Sequence, residues 1–201
     1  RWGVAEPTSP TPWASPTLTA GAASDAADVE RAGRALVTLI AAAEVALKVG
    51  DVERGLLLAQ RARGICLTLD AALAPADSRE TDTLLMLGRT QSASGDLTSA
   101  SVTIGRAMES ALHGQAGSTG EQARVRGPAW ARAAVELAEV RYTLGQLVEA
   151  RQLAEDASAI PGIAAALRLS ARNVVGKVLL ARASFGDADE HFAADASDAA
   201  C

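Results

Sequence analysis

Small residues recur in pairs along this chain, twelve positions apart, within segments whose apolar residues follow a helical period. Small side chains on two consecutive helices let the backbones approach closely while larger neighbours interlock around the crossing. The recurrence therefore predicts repeated pairs of packed helices. The recurrence selects these packing residues: Gly88 with Ala100, Ala138 with Ala150, and Gly176 with Ala188. In the first pair of helices the order is reversed, since alanine, Ala43, comes first and glycine, Gly55, comes second.

The amino-acid usage supports helices packed on helices. Alanine occurs 46 times among the 201 residues, whereas aromatic residues make up only 3%. A core with so little bulk per residue requires elements that lie close together. No segment alternates apolar and polar residues with the period of two that a half-buried strand needs. We therefore predict an all-α fold.

Helix-breaking residues divide the chain into four pairs of helices. The junctions are Gly50-Asp51, Gly95-Asp96 and Gly145-Gln146, and in the fourth pair we expect the turn to be displaced. Glycine adopts the left-handed conformation just after a helix, and aspartate caps the next one. Such short junctions favour antiparallel neighbours. The predicted helices cover about 28–49 and 52–70, 77–94 and 97–113, 129–144 and 147–159, and 163–182 and 185–200.

The chain divides into a linker and a helical domain. Residues 1–24 hold four of the seven prolines together with many Ser and Thr, which predicts an extended linker. Residues 25–201 form the predicted repeat domain. The sequence starts without Met and stops within a helical pattern, so we expect a piece of a longer protein that is truncated at its C-terminus.

Charge and cysteine content exclude several classes of function. A net charge of −5 and a pI near 5.1 argue against direct binding of nucleic acid, which needs a basic face. No run of 18 apolar residues predicts a membrane span. The two cysteines, Cys66 and Cys201, have no disulfide-framework or zinc spacing, which favours the reducing cytoplasm.

The pairs resemble the tetratricopeptide repeat family. Its pattern has a large residue followed by a small one in the first helix, glycine at the turn, and small, bulky and small residues along the second helix. The second pair matches best, with Leu87-Gly88, Gly95, Ala100, Ile104 and Ala107. The first small residues of the four pairs, at positions 43, 88, 138 and 176, are spaced unequally and more widely than in the family, so these are degenerate units with longer connections. The resemblance implies a superhelical array of about four antiparallel hairpins, an α-solenoid.

The resemblance also implies a function. Degenerate arrays of this kind are similar to helical regions of large bacterial signalling proteins and transcriptional regulators. The implied role is a non-catalytic scaffold that binds a protein or peptide, or an effector domain of the same polypeptide. The concave face would carry the partner-binding residues Arg89, Arg132, Tyr142, Asn173 and Lys177. The alternatives are a structural spacer or oligomerisation module and, less favoured, an enzyme with its site inside the array.

Motifs for chemistry are weak. The glycine-rich stretch 113–127 lacks the Gly-Lys-Ser/Thr ending of a phosphate-binding loop. Asp187, His191 and Asp195 share one helix face, but metal sites normally recruit ligands from more than one element. Glu136 and Glu139 are expected to be solvated. We therefore predict no catalytic residues, no metal and no cofactor.

The predicted close contact at Gly88 generates an expectation for mutants. Gly88→Leu should unfold its hairpin through overpacking, whereas Gly88→Ala should be mild. Thermal unfolding of the two variants measures the difference.

Overall fold

A computed structural model describes residues 26–70, 78–113, 126–183 and 185–198. Eight α-helices and no strand occur within these ranges, which confirms the all-α prediction. Each helix boundary lies within two residues of its predicted position. The helices are α1 (Ala26–Lys48), α2 (Val52–Asp70), α3 (Ser78–Ala93), α4 (Leu97–His113), α5 (Pro128–Thr143), α6 (Leu147–Ser158), α7 (Ala165–Ala181) and α8 (Phe185–Asp198). The predicted linker lies outside the described residues.

The helices contact one another in an ordered pattern. Each one packs against the next in the chain, and α1, α3, α5 and α7 also contact each other in that order. In the described ranges no two of α2, α4, α6 and α8 have Cα atoms within 8 Å of one another. The first helices of the four pairs therefore line one side of the molecule, which we call the odd-helix surface. No helix in the described part is both long and apolar enough to cross a membrane.

Three of the junctions are alike in detail. Gly50, Gly95 and Gly145 have φ between 75° and 87°, a left-handed conformation that glycine adopts without steric cost. At the second junction, the Gly95 N–H donates to Ser92 O and the Asp96 N–H to Gln91 O, both at 3.0 Å. This is the Schellman arrangement that satisfies the last carbonyl groups of a helix. The predicted glycine turns are confirmed.

Aspartate caps two of the helices that follow. The carboxylates of Asp51 and Asp96 accept the N–H groups of Arg54 at 3.1 Å and Ser99 at 3.0 Å. Hydrogen bonds from the hydroxyl group and the backbone of Ser99 lower the pKa of Asp96. Gln146 makes no such side-chain cap at the start of α6.

The fourth turn is not displaced, contrary to expectation. Ala183 follows Gly176 by seven residues, as Gly95 follows Gly88, and it adopts a φ of 57°. Its N–H donates to Leu180 O at 3.0 Å, as the glycines at the other junctions do. The turn thus forms at the same position without glycine, and the alanine bears the steric cost of the left-handed region.

Close packing within the pairs involves a different contact from the one expected. A Cβ atom on Gly88 would lie 2.4 Å from Cγ1 of Ile104, and its three nearest atoms all belong to Ile104 rather than Ala100. A Cβ atom on Gly176 would lie 2.2 Å from Cζ of Phe192. The expectation that Gly88→Ala is mild is therefore wrong: the methyl group would overlap a side chain that is only 1% exposed. All six predicted packing residues are buried.

The sizes of the two contacting positions compensate each other. In every pair of helices, the contacting residue of the second helix follows the contacting residue of the first helix at the same interval along the chain. Glycine on the first helix accompanies a large partner, as in Gly88 with Ile104 and Gly176 with Phe192, whereas alanine accompanies alanine. The alanine pairs are Ala43 with Ala59 and Ala138 with Ala154, all fully buried. Conserving the combined volume keeps each crossing filled without overlap.

This compensation predicts coupled effects of mutation. Gly88→Ala should destabilise the fold by about 1–2 kcal/mol, because overpacking outweighs the gain in helix propensity. Ile104→Ala should cost about 2–5 kcal/mol through a cavity. The double variant reproduces the alanine pair of the third pair of helices, and its destabilisation should be smaller than the sum of the two single changes by at least about 1 kcal/mol. Urea unfolding measures the cycle, and additive effects would contradict the contact.

The fourth turn generates a second prediction. Ala183→Gly should stabilise the protein by about 0.5–1 kcal/mol, because it removes the steric cost of a left-handed alanine, which exceeds the entropic cost of glycine. Ala181→Gly, two residues earlier at an exposed helical position, serves as the control and should destabilise it by a similar amount. If both variants destabilise alike in thermal unfolding, position 183 does not hold the left-handed turn.

Candidate interaction surface

Charges alternate in sign along the odd-helix surface. The residue that directly follows the small packing residue of each first helix is charged: Glu44 on α1, Arg89 on α3, Glu139 on α5 and Lys177 on α7. The Lys177 ammonium pairs with Glu139, and the charge of Glu44 acts on Arg89, whose bonded partner on α5 is Glu136. Such an arrangement neutralises itself and leaves little net field for steering a strongly charged partner.

Two ion pairs link neighbouring helices of this surface closely. The Arg89 guanidinium donates from Nε to Glu136 Oε1 at 2.8 Å, and its Nη2 contacts the same oxygen. The Lys177 ammonium lies 2.8 and 2.9 Å from the two carboxylate oxygens of Glu139. The first pair joins α3 to α5, and the second joins α5 to α7.

The third pair, Asp82 with Arg132, is less well aligned. Oδ1 of Asp82 lies 3.0 Å from Nη2 of Arg132. The same oxygen is buried and has no hydrogen-bond partner with acceptable angles among the described residues. The contact is therefore an electrostatic one without a directed hydrogen bond at Asp82 Oδ1.

The surroundings of Arg89 hold its positive charge firmly. Burial lowers the pKa of its guanidinium, but the hydrogen bond to Glu136, the charge of that carboxylate and the charge of Glu44 together outweigh this effect. The pKa of Arg89 is consequently raised above its ordinary value. A partner that contacts Arg89 therefore meets a permanent cation whose charge is already balanced by the carboxylate of Glu136.

Two open grooves meet at these arginines. The first, which we call the α5/α7 groove, has a volume of about 460 Å³ and apolar walls that include Val135 and Leu167. The second, the α1/α3 groove, has a volume of about 280 Å³ and apolar walls that include Val37 and Ile40. Arg89 and Arg132 line both grooves. Ligand grooves commonly combine apolar walls with a few polar groups that fix orientation.

The structure brings together only some of the predicted binding residues. Arg89 and Arg132 stand side by side at the junction of the grooves, whereas Tyr142, Asn173 and Lys177 line neither one. The Lys177 ammonium lies 6.0 Å from the centre of the Tyr142 ring and is held by Glu139. Asn173 is exposed on α7.

Sequence reasoning missed the acidic side of the surface. Glu136 and Glu139 were expected to be solvated, but both are half-buried partners of cations, and Asp82 was not singled out at all. The alternating sign of the residues after Ala43, Gly88, Ala138 and Gly176 was the available signal. This alternation identifies Glu44, Arg89, Glu139 and Lys177. It does not identify Glu136 or Asp82, whose roles depend on how the helices cross.

The weaker chemical motifs are not assembled into a site. His191 Nε2 lies 2.8 Å from the backbone oxygen of Arg172, and Asp187 is exposed. The side chain of Asp195 lies outside the described residues, as does most of the glycine-rich stretch 113–127. Within the described ranges no three His, Cys, Asp or Glu side chains come together in a metal-binding arrangement.

The ion pairs predict a modest, salt-sensitive coupling. Because Lys177 and Glu139 are each about 40% exposed, a double-mutant cycle with Lys177→Met and Glu139→Gln should give about 0.2–1 kcal/mol. This coupling should shrink at about 1 M salt, where charges are screened over roughly 3 Å. The Arg151–Glu155 pair within α6 has matching exposure and provides the comparison. Zero coupling of Lys177 with Glu139 at low salt would show that the bridge between helices does not form.

No family model matches this sequence, and no curated protein is significantly similar to it.

Proposed function

We propose that this chain is a non-catalytic protein-binding scaffold built as a superhelical array of antiparallel helical hairpins. The order of helix contacts supports this architecture, since the odd helices touch in sequence while the even helices remain apart. The repeated turn geometry and the helix-crossing contact that recurs at one interval support it further. In this proposal the odd-helix surface is the concave face, and it binds the partner.

One observation carries the choice of binding surface. Two grooves with apolar walls meet at Arg89 and Arg132, whose charges are already neutralised by Glu136 and Asp82. Apolar walls favour burial of aliphatic or aromatic side chains, at roughly 25 cal/mol per Å² removed from water. A strongly acidic or basic segment would have to break existing ion pairs. The partner that fits is therefore a protein segment with apolar side chains and few charges.

We further propose a setting for this activity. The resemblance to helical regions of bacterial regulators makes an effector domain of the same polypeptide a second kind of partner, bound through the same surface. The two cysteines, Cys66 and Cys201, have no disulfide-framework spacing, and we propose the reducing cytoplasm as the setting. Binding would then regulate the effector without supplying any chemistry of its own.

Selection from a displayed library of random 12-residue peptides tests the proposed surface. Peptides enriched on the 201-residue chain should be rich in apolar residues and bind with micromolar dissociation constants. Leu167→Glu and Val37→Glu place a carboxylate in the α5/α7 and α1/α3 grooves, respectively, and at least one should weaken binding by more than about tenfold.

The control is Val148→Glu on α6, where the native side chain is 72% exposed and lines neither groove. It should leave peptide affinity unchanged, and circular dichroism verifies that all variants remain helical. A library that yields no binder, or binders indifferent to both groove variants, would refute the proposed surface.

A further inference from the structure

The predicted linker, residues 1–24, is richer in aromatic residues than a spacer needs to be. It holds Trp2 and Trp13, two of the six aromatic residues of the chain, in about an eighth of the chain's length. Segments that only connect domains are poor in aromatic residues, because a large apolar side chain gains stability only when a surface removes it from water. The two tryptophans therefore call for a surface that covers them.

The charges of the predicted linker are confined to its start. Arg1 and Glu6 are charged, whereas residues 7–24 contain no Asp, Glu, Lys, Arg or His. The α1/α3 groove has apolar walls, and the cations that line it, Arg89 and Arg132, already lie against carboxylates. The uncharged stretch thus has the chemistry that we assign to a partner of this groove.

Prolines in the same stretch reduce the cost of binding. Residues 7–24 include Pro7, Pro10, Pro12 and Pro16, whose rings fix φ and which lack a backbone N–H donor. A segment with restricted φ angles loses less conformational entropy when it binds. Each missing donor is also one polar group fewer to satisfy in an apolar groove. Proline-rich segments commonly bind apolar grooves for these reasons.

The predicted linker is attached to a helix that forms one wall of the α1/α3 groove. α1 begins at Ala26, and the groove residues Val37 and Glu44 follow 11 and 18 positions later, about 17 and 27 Å along the helix axis. Trp13 precedes Ala26 by 13 residues, which reach up to about 40 Å when fully extended. The segment is therefore long enough to turn back along α1 and bring the Trp13 indole to the groove.

From this match of length, charge and apolar character, we propose that residues 7–24 fold back onto the same chain and that Trp13 occupies the α1/α3 groove. Val37 is 63% exposed on one wall, and the buried side chains of Leu85 and Met86 line the groove from α3. An indole buries about 150–250 Å² in such a contact. A short covalent tether gives an effective concentration in the millimolar range, which favours binding within one chain over binding to a second copy.

The docked segment acts as an internal competitor for the partner. This inference rests on the proposed function, since it places a second occupant on the same surface. Occupancy by Trp13 weakens partner binding in proportion to the fraction of molecules whose groove is open, so an occupancy of two thirds gives a dissociation constant about threefold higher. The predicted linker would thereby set the concentration of partner that the scaffold requires.

Fluorine NMR of the 201-residue chain labelled with 5-fluorotryptophan tests the docking. The chain has three tryptophans, so Trp2→Phe and Trp13→Phe assign all three resonances. Val37→Glu places a carboxylate in the groove and should shift the Trp13 resonance towards its value in denaturant. The resonance of the buried Trp130 should stay in place and show that the fold is intact.

The matched control is Val148→Glu, because the native valine is 72% exposed and lines neither groove. This variant should leave the Trp13 resonance where it is in the native chain. A Trp13 resonance that Val37→Glu does not move would overturn the inference.

The affinity of the full chain for peptides selected from the library provides the second measurement. Trp13→Ser should tighten the binding of a peptide that uses the α1/α3 groove by about threefold or more, because it removes the competitor. Trp2→Ser removes the same side chain from a position that we do not place in the groove, and it should change the affinity by less than about twofold.

The two measurements separate this inference from the proposed function. Peptides that bind through the grooves equally well after Trp13→Ser would overturn the competition and leave partner binding in place. A Trp13 resonance that responds to Val37→Glu, in a chain for which the library yields no binder, would support the docking and overturn partner binding. A Trp13 shift that grows with protein concentration would show binding to a second copy and overturn docking within one chain.

Discussion

The close approach of two helices at one point within each pair governs the rest of this structure. Where Gly88 faces Ile104 and Gly176 faces Phe192, the missing Cβ leaves space for a large side chain. Elsewhere two alanines achieve the same fit. A chain with 46 alanines can build a dense core only through such contacts, because few of its side chains are large enough to fill a wider gap. The short turns then keep the partners adjacent in sequence and in space.

Much of this architecture follows from local signals. Glycine at 50, 95 and 145 predicts the turns correctly because a left-handed residue after a helix is a local backbone requirement. The fourth turn differs from the prediction because Ala183, without being glycine, adopts the same left-handed conformation. The partner of Gly88 was mispredicted for a related reason. Spacing along two helices identifies the facing surfaces, but side-chain size decides which residue fills the crossing.

The candidate site could be predicted less completely than the fold. Arg89 and Arg132 could be assigned to one surface because they occupy equivalent faces of first helices. Their partners, Glu136 and Asp82, depend on the offset between helices of different pairs, and the connections between pairs have unequal lengths. Thus the sequence indicates which side chains share a surface, whereas the matching of charges on it emerges only from packing.

Ion pairs link α3 to α5 and α5 to α7, whereas the even helices do not touch in the described part of the chain. We therefore expect resistance to bending to differ between the odd and the even helices. Motion that separates α3, α5 and α7 has to break salt-sensitive links, whereas motion of the even helices breaks no contact between them. Ionic strength would then affect the separation of these helices, and with it the width of the α5/α7 groove, so the shape of the binding surface would depend on the solvent as well as on the fold.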